Sequence, residues 1–211
     1  MAVDLVIFDC DGVLVESEPI RVRIGVAALR RLGWSIDERE YVARFLGCTK
    51  EYWQEQVGET PPGWQEQVDA AYASAIDSEL RAVQGIEAVL DGLDLPLCVA
   101  SNVPRSLIRR SLEITGLARR FAGHVFSAED VARGKPAPDL FLHAAATFGA
   151  APERCVVVED SPFGVAAAMS AGMRCLAYAG GPVSPSRLSG LGATLFSSPA
   201  ALPGLIDAWS V

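Results

Sequence analysis

Leu5-Val6-Ile7-Phe8-Asp9-Cys10-Asp11-Gly12-Val13-Leu14-Val15 is the stretch from which the rest of the chain is read. A short apolar run with β-branched residues has the length and content of a buried parallel strand. It ends abruptly in two carboxylates one residue apart and a glycine. The C-terminal edge of an open α/β sheet is where such folds place their ligands. Two acids there repel each other unless a cation lies between them or one keeps its proton. Taken alone, Asp11-Gly12 reads as a turn after a strand. Whether it is more than that depends on what the remaining strands end in.

Further along, the chain first departs from strand–helix alternation and then returns to it. Between Glu16 and about Arg81 the pattern is helical. Helices are expected over 21–32, over 36–46 with Asp37 as a cap, over 50–57 with Thr49 as a cap, and over 64–80. No strand interrupts them, as expected of a helical insertion in an α/β domain. From Ala82 the alternation resumes. Apolar strands are expected at 96–102, 124–127, 155–158, 175–178 and, at the sheet edge, 194–196. Helices are expected at 85–93, 104–114, 137–148, 163–171 and 200–209. The reading is an α/β fold, a doubly wound Rossmann-like parallel sheet formed by 1–15 and 83–211, with an inserted helical bundle over 16–82.

Composition narrows the function. The chain has 211 residues, half of them hydrophobic, with a formal net charge of −8. That balance argues against nucleic acid as a partner, since no basic block offsets it. No apolar run approaches the ~20 residues that span a bilayer, and the N-terminus lacks the basic start of a secretory signal. A cytoplasmic protein is expected, with no membrane partner, as a monomer or weak homodimer. The five cysteines are scattered without a Cys-x-x-Cys pair, so neither a zinc site nor a disulfide framework is signalled.

The later strands end as the first does, in polar residues: Ser101-Asn102 and Glu159-Asp160-Ser161. In a parallel sheet these ends share one edge with Asp9 and Asp11, and Lys135 precedes a helix on that edge. Together they form a set suited to phosphoryl transfer. Asp9 and Asp160, with Glu159 beside them, offer the hard oxygen ligands that Mg²⁺ takes, with water and a substrate phosphate completing its shell. Ser101 offers a hydroxyl, and Lys135 a point cation for phosphate oxygens. With two histidines and no Ser-His or Cys-His pairing, the candidate nucleophile is a carboxylate. Each piece alone has a plainer reading, as a turn, a helix cap or a solvated lysine. Their joint occurrence at successive strand ends outweighs it.

The four pieces, Asp9-Cys10-Asp11-Gly12-Val13, Ser101-Asn102, Gly134-Lys135-Pro136 and Glu159-Asp160-Ser161, resemble the ordered motifs of the haloacid dehalogenase superfamily. The resemblance runs over essentially the whole chain, and the helical insertion resembles that family's α-helical cap. Within it the chain is similar to sugar-phosphate phosphatases related to β-phosphoglucomutase, nearest to those acting on 6-phosphogluconate. The resemblance implies Asp9 as nucleophile and carrier of an aspartyl phosphate, and Asp11 as acid and base. It implies Mg²⁺ held by Asp9, Asp11, Glu159 and Asp160, with Ser101, Asn102 and Lys135 on the phosphate. Lys50, after Gly47-Cys48-Thr49, is the cap residue expected to reach substrate. The dehalogenases lack the second aspartate, so Asp11 favours phosphate chemistry. Arg21 stands where the mutases carry a hinge histidine, which ranks mutase activity below hydrolysis. Also ranked below a phosphatase are a phosphonate hydrolase, a receiver-like signalling domain and a binding protein on the same scaffold.

Overall fold

The computed structural model describes residues 2–48 and 50–209, and of 50 and 51 the backbone alone. The chain divides into two compact units, Met1–Glu16 with Arg81–Val211, and Ser17–Leu80.

The first unit is built on six parallel strands in the order β3-β2-β1-β4-β5-β6. They are β1 (Leu5–Phe8), β2 (Leu97–Ser101), β3 (Val125–Ser127), β4 (Cys155–Glu159), β5 (Arg174–Tyr178) and β6 (Thr194–Phe196). β1 to β4 are wholly buried, the condition that selects continuous Val, Ile and Leu runs over alternating ones. β1 lies at the centre, hydrogen-bonded to β2 on one side and β4 on the other. The strands laid down before β4 run outward from β1 one way and those after it the other way, so the switch point of the sheet lies between β1 and β4.

The second unit holds α1 (Glu18–Arg31), α2 (Glu38–Arg44), α3 (Lys50–Val57) and α4 (Trp64–Glu79). α1 starts three residues before the expected Arg21, because Pro19 opens the helix in its first turn, where its missing N–H costs nothing. Asp37 caps α2 as its position suggests, accepting from the Glu40 N–H at 2.7 Å. The cap expected of Thr49 lies outside the described residues. Inside this unit the Tyr41 ring lies against Gly25, where an added Cβ would come within 2.2 Å of it. Arg21 donates to the Tyr72 hydroxyl at 2.9 Å, with its guanidinium 4.5 Å from the centre of that ring.

Among the described residues the first unit also holds six α-helices: α5 (Ile86–Gly92), α6 (Arg105–Ile114), α7 (Asp139–Phe148), α8 (Pro162–Ser170), α9 (Pro185–Leu188) and α10 (Leu202–Asp207). α7 packs on β1, β2 and β3 and meets α8, which lies on β4 and β5; α6 covers β3, and α5 meets α10. Phe8 and Phe121 meet edge to face at 6.2 Å beneath the sheet. The two passages of chain that lead out to and back from residues 17–80 lie side by side. Val15 bridges Ala82, and the Glu16 N–H donates to the Arg81 carbonyl at 2.9 Å. Among the described residues no helix is long and apolar enough to cross a membrane.

Candidate active site

The site is assembled at the C-terminal edge of β1, β2 and β4. Asp9 follows β1 directly, with its N–H donating to the Val158 carbonyl of β4 at 2.9 Å, so the strand pairing itself fixes where this carboxylate begins. The chain then turns. Gly12 has φ of 81°, a left-handed conformation that side chains other than glycine rarely adopt, and its N–H donates to Val15. Cys10 is buried between the two acids, and burial pushes its thiol well above the ordinary range.

Lys135 is the hub. Its ammonium bonds Asp9 Oδ1 and Glu159 Oε1, each at 2.6 Å, and lies 4.8 Å from the centre of the Phe141 ring. All three ionisable groups are almost fully removed from solvent: Asp9 and Lys135 are 7% exposed and Glu159 1%. Burial opposes the lysine's charge, but Asp9 and Glu159 outweigh it and hold Lys135 above the usual ammonium range. Asp9 goes the other way. Burial pushes its carboxyl up to about 8 against the pull of Lys135, and Glu159 and Asp11 add to the rise. The Lys135 ammonium is thus shared between two buried carboxylates, Asp9 and Glu159.

Glu159, expected on a metal, is engaged by protein groups in this structure. Its second oxygen, Oε2, accepts from the Asp160 and Ser161 N–H groups and from the Ser161 hydroxyl, each at 2.9 Å. Ser161 in turn caps α8 through Gly164 at 3.0 Å. With Oε1 on Lys135, both oxygens of the carboxylate have protein partners. Gly164 makes this possible: a Cβ there would fall 1.8 Å from the Glu159 carboxyl.

Asn102, expected on the phosphate, makes its contacts in this structure with the lysine loop. Its carboxamide grips the backbone of Lys135, donating to the carbonyl at 2.9 Å and accepting from the N–H at 2.8 Å. Ser101, buried at the end of β2, accepts from the Val103 N–H at 3.4 Å, and Ser127 at the end of β3 donates to the Val103 carbonyl at 2.7 Å. The loop after β2 is thus tied down from two strands. Asp160 is 3% exposed beside Glu159. Lys50 opens α3, and its side chain lies outside the described residues. Sequence reasoning quoted Gly134 and Ser161 inside their motifs without giving either a role, and it missed Gly164 and Phe141. For the two glycines the signal is a glycine standing where the backbone is not left-handed.

The donor set suits a hard divalent cation of the Mg²⁺ type. Among the described residues no three His, Cys, Asp or Glu side chains form a metal cage. Mg²⁺ does not ask for one, since it binds through one or two carboxylates and keeps water and substrate oxygens as its other ligands. Asp9 and Asp160, with Asp11, are the residues that fit: Asp9 and Asp160 follow the ends of the paired strands β1 and β4, and the ammonium bonded to Asp9 is shared with Glu159.

Residues 3–172 match a family described as haloacid dehalogenase-like hydrolase. The chain is 33% identical over 186 residues to a 6-phosphogluconate phosphatase of Escherichia coli, a match covering 85% of this chain and 84% of the relative. A conserved haloacid dehalogenase-like protein of unknown function from Agrobacterium tumefaciens is 35% identical, with a TM-score of 0.92 over 100% of both chains. A hydrolase from Deinococcus radiodurans, solved with bound phosphate and sodium, is 32% identical with a TM-score of 0.82, over 98% of this chain and 96% of the other.

Proposed function

This chain belongs to the haloacid dehalogenase-like hydrolases and is a phosphatase, and from that premise we propose that it hydrolyses a sugar or sugar-acid phosphate, 6-phosphogluconate among the candidates, through an aspartyl phosphate on Asp9 with the help of Mg²⁺. The observation that carries the reading is the Lys135 ammonium bridging Asp9 and Glu159 at the switch point of the sheet. A lysine so held is fixed beside the carboxylate that would attack phosphorus. It is aimed before substrate arrives, which is what stabilising the charge of an in-line phosphoryl transfer requires.

In this mechanism an Asp9 oxygen bonds to phosphorus as the bond to the leaving alcohol breaks, and Asp11 gives that alcohol its proton. Asp11 then takes a proton from the water that attacks the aspartyl phosphate, releasing phosphate and restoring Asp9. Lys135, the Ser101 hydroxyl and the N–H groups of the loop after β2 hold the phosphoryl oxygens. Asp9, Asp11 and Asp160 would hold Mg²⁺, which when bound would supply Lewis-acid polarisation of the phosphate. Free thiols suit a reducing compartment, and the cytoplasm is the proposed location.

Turnover of p-nitrophenyl phosphate with and without Mg²⁺ tests the reaction, with Asp9→Asn as the control. Activity surviving in Asp9→Asn would refute the nucleophile. A panel of phosphorylated sugars and sugar acids then tests the substrate class. Lys50 is the residue proposed to read an anionic tail. Lys50→Ala should raise KM for 6-phosphogluconate by about tenfold, the equivalent of ~1.4 kcal/mol, and leave p-nitrophenyl phosphate nearly unchanged. Equal losses on both would remove Lys50 from that role.

A further inference from the structure

We propose that Asn102 is a positioning residue that acts through the backbone of Lys135, with Gly134 as the gap into which its carboxamide fits. The proposal rests on the reading of Lys135 as the phosphate-binding lysine. An asparagine just past a strand end ordinarily bonds its own loop, forming a turn with a backbone group two or three residues on. Asn102 instead reaches across to a residue 33 positions later and uses both polar atoms there, one as donor to the Lys135 carbonyl and one as acceptor from the Lys135 N–H. A side-chain amide can do this. An aspartate has no donor, and an alanine has neither group.

Gly134 is the other half of the clasp. A Cβ on it would lie 2.6 Å from Asn102 Oδ1 and 3.1 Å from the Ala128 Cβ, although its backbone is not left-handed. The glycine is therefore there for space. Ala128, on its other side, is held by the turn in which Ser127 and Asp130 cap each other's backbone.

The consequence is geometric. Lys135 is fixed at its tip by Asp9 and Glu159 and at its backbone by Asn102. The Asn102 backbone itself belongs to the loop after β2, whose N–H groups are the proposed phosphate cradle. One residue thus sets the spacing between the cradle and the ammonium. Errors of about 1 Å in such spacing cost on the order of 100-fold in rate.

Three variants test this: Asn102→Ala, Gly134→Ala and the two combined. Each is assayed well below its melting temperature, with its fold checked by circular dichroism. Both single variants should lose about 10- to 100-fold in kcat for p-nitrophenyl phosphate. The double variant should be no worse than the poorer single, because both changes open the same clasp. Asn102→Asp, which keeps size and acceptor, is the arm least disruptive to folding and should fall between wild type and Asn102→Ala. A lower melting temperature with kcat unchanged in the folded variants would reduce the clasp to a stability feature and overturn the proposal. So would multiplicative losses in the double variant, since Asn102 would then act on substrate independently of Gly134. Lys135→Ala separates this from the parent reading. If Lys135→Ala is fully active the site assignment fails, whereas if it is inactive and Asn102→Ala is normal only the clasp fails.

Discussion

With the Lys135 ammonium removed, Asp9 and Glu159 face each other in a dry pocket with no cation between them. Lys135→Met should therefore lower unfolding stability in EDTA by about 3–5 kcal/mol, the usual consequence of leaving a buried charge uncompensated. Mg²⁺ should recover part of the loss, and urea denaturation with and without the ion measures both effects. An unchanged midpoint in EDTA would mean that the ion pair carries no such weight. Gly164→Ala makes a complementary case. Its methyl group must displace the Glu159 carboxyl, so a stability loss of about 1–3 kcal/mol is expected, with a fall in kcat because the lysine loses its holder. Some of this was legible in the sequence. Asp9 and Ser101 stand out as polar residues that close buried apolar strands, and Lys135 as a lysine in the loop ahead of a helix on the same edge. The work of Glu159 and Asn102 was hidden, because residue type does not say which lone pair is already taken. Their partners lie 24 and 33 residues away.

Among the elements, the turn between β3 and the lysine loop carries its own prediction. Asp130 accepts from the Ser127 N–H at 2.8 Å and pairs with Arg105 at the start of α6. Burial alone would raise its pKa, but the Ser127 N–H and Arg105 outweigh it and hold the carboxyl below the ordinary value. A depressed pKa contributes stability above the unfolded value and loses it as pH falls through the folded one. Asp130→Asn should thus be less stable than wild type at pH 7 by about 1 kcal/mol, or roughly 2–4 °C in Tm at this chain length. The difference should vanish in acid below the folded pKa. A gap that persists there would trace to packing instead of charge. The strands and longer helices could be read from apolar runs and from helical spacing closed by Gly116, Gly149 and Gly172. The short 3₁₀ turns at Ala118–Phe121, Ala128–Asp130, Pro152–Arg154 and Pro199–Ala201 could not. A single turn has no period to detect.

At the scale of the molecule, the pairing of Glu16 with Arg81 places the exits to the helical unit side by side. A chain in which 17–80 is replaced by a short Gly-Ser turn should keep the six-stranded unit, since every strand pairing of the sheet lies outside the excised segment. It should melt cooperatively and retain measurable hydrolysis of p-nitrophenyl phosphate, while its preference among sugar phosphates flattens. Loss of the cooperative melt would show that the helical segment is needed for the sheet to form. The cysteines carry a different consequence. Four of the five thiols are buried and Cys48 is half-buried; burial pushes the Cys10 thiol, next to Asp9, well above its ordinary range. Alkylating agents and peroxides attack thiolates that they can reach. Iodoacetamide should leave turnover intact, and Ellman's reagent should titrate a single thiol until urea frees the other four. With a carboxylate in place of a thiolate at the reacting position, turnover should likewise survive peroxide concentrations that silence thiolate-dependent hydrolases.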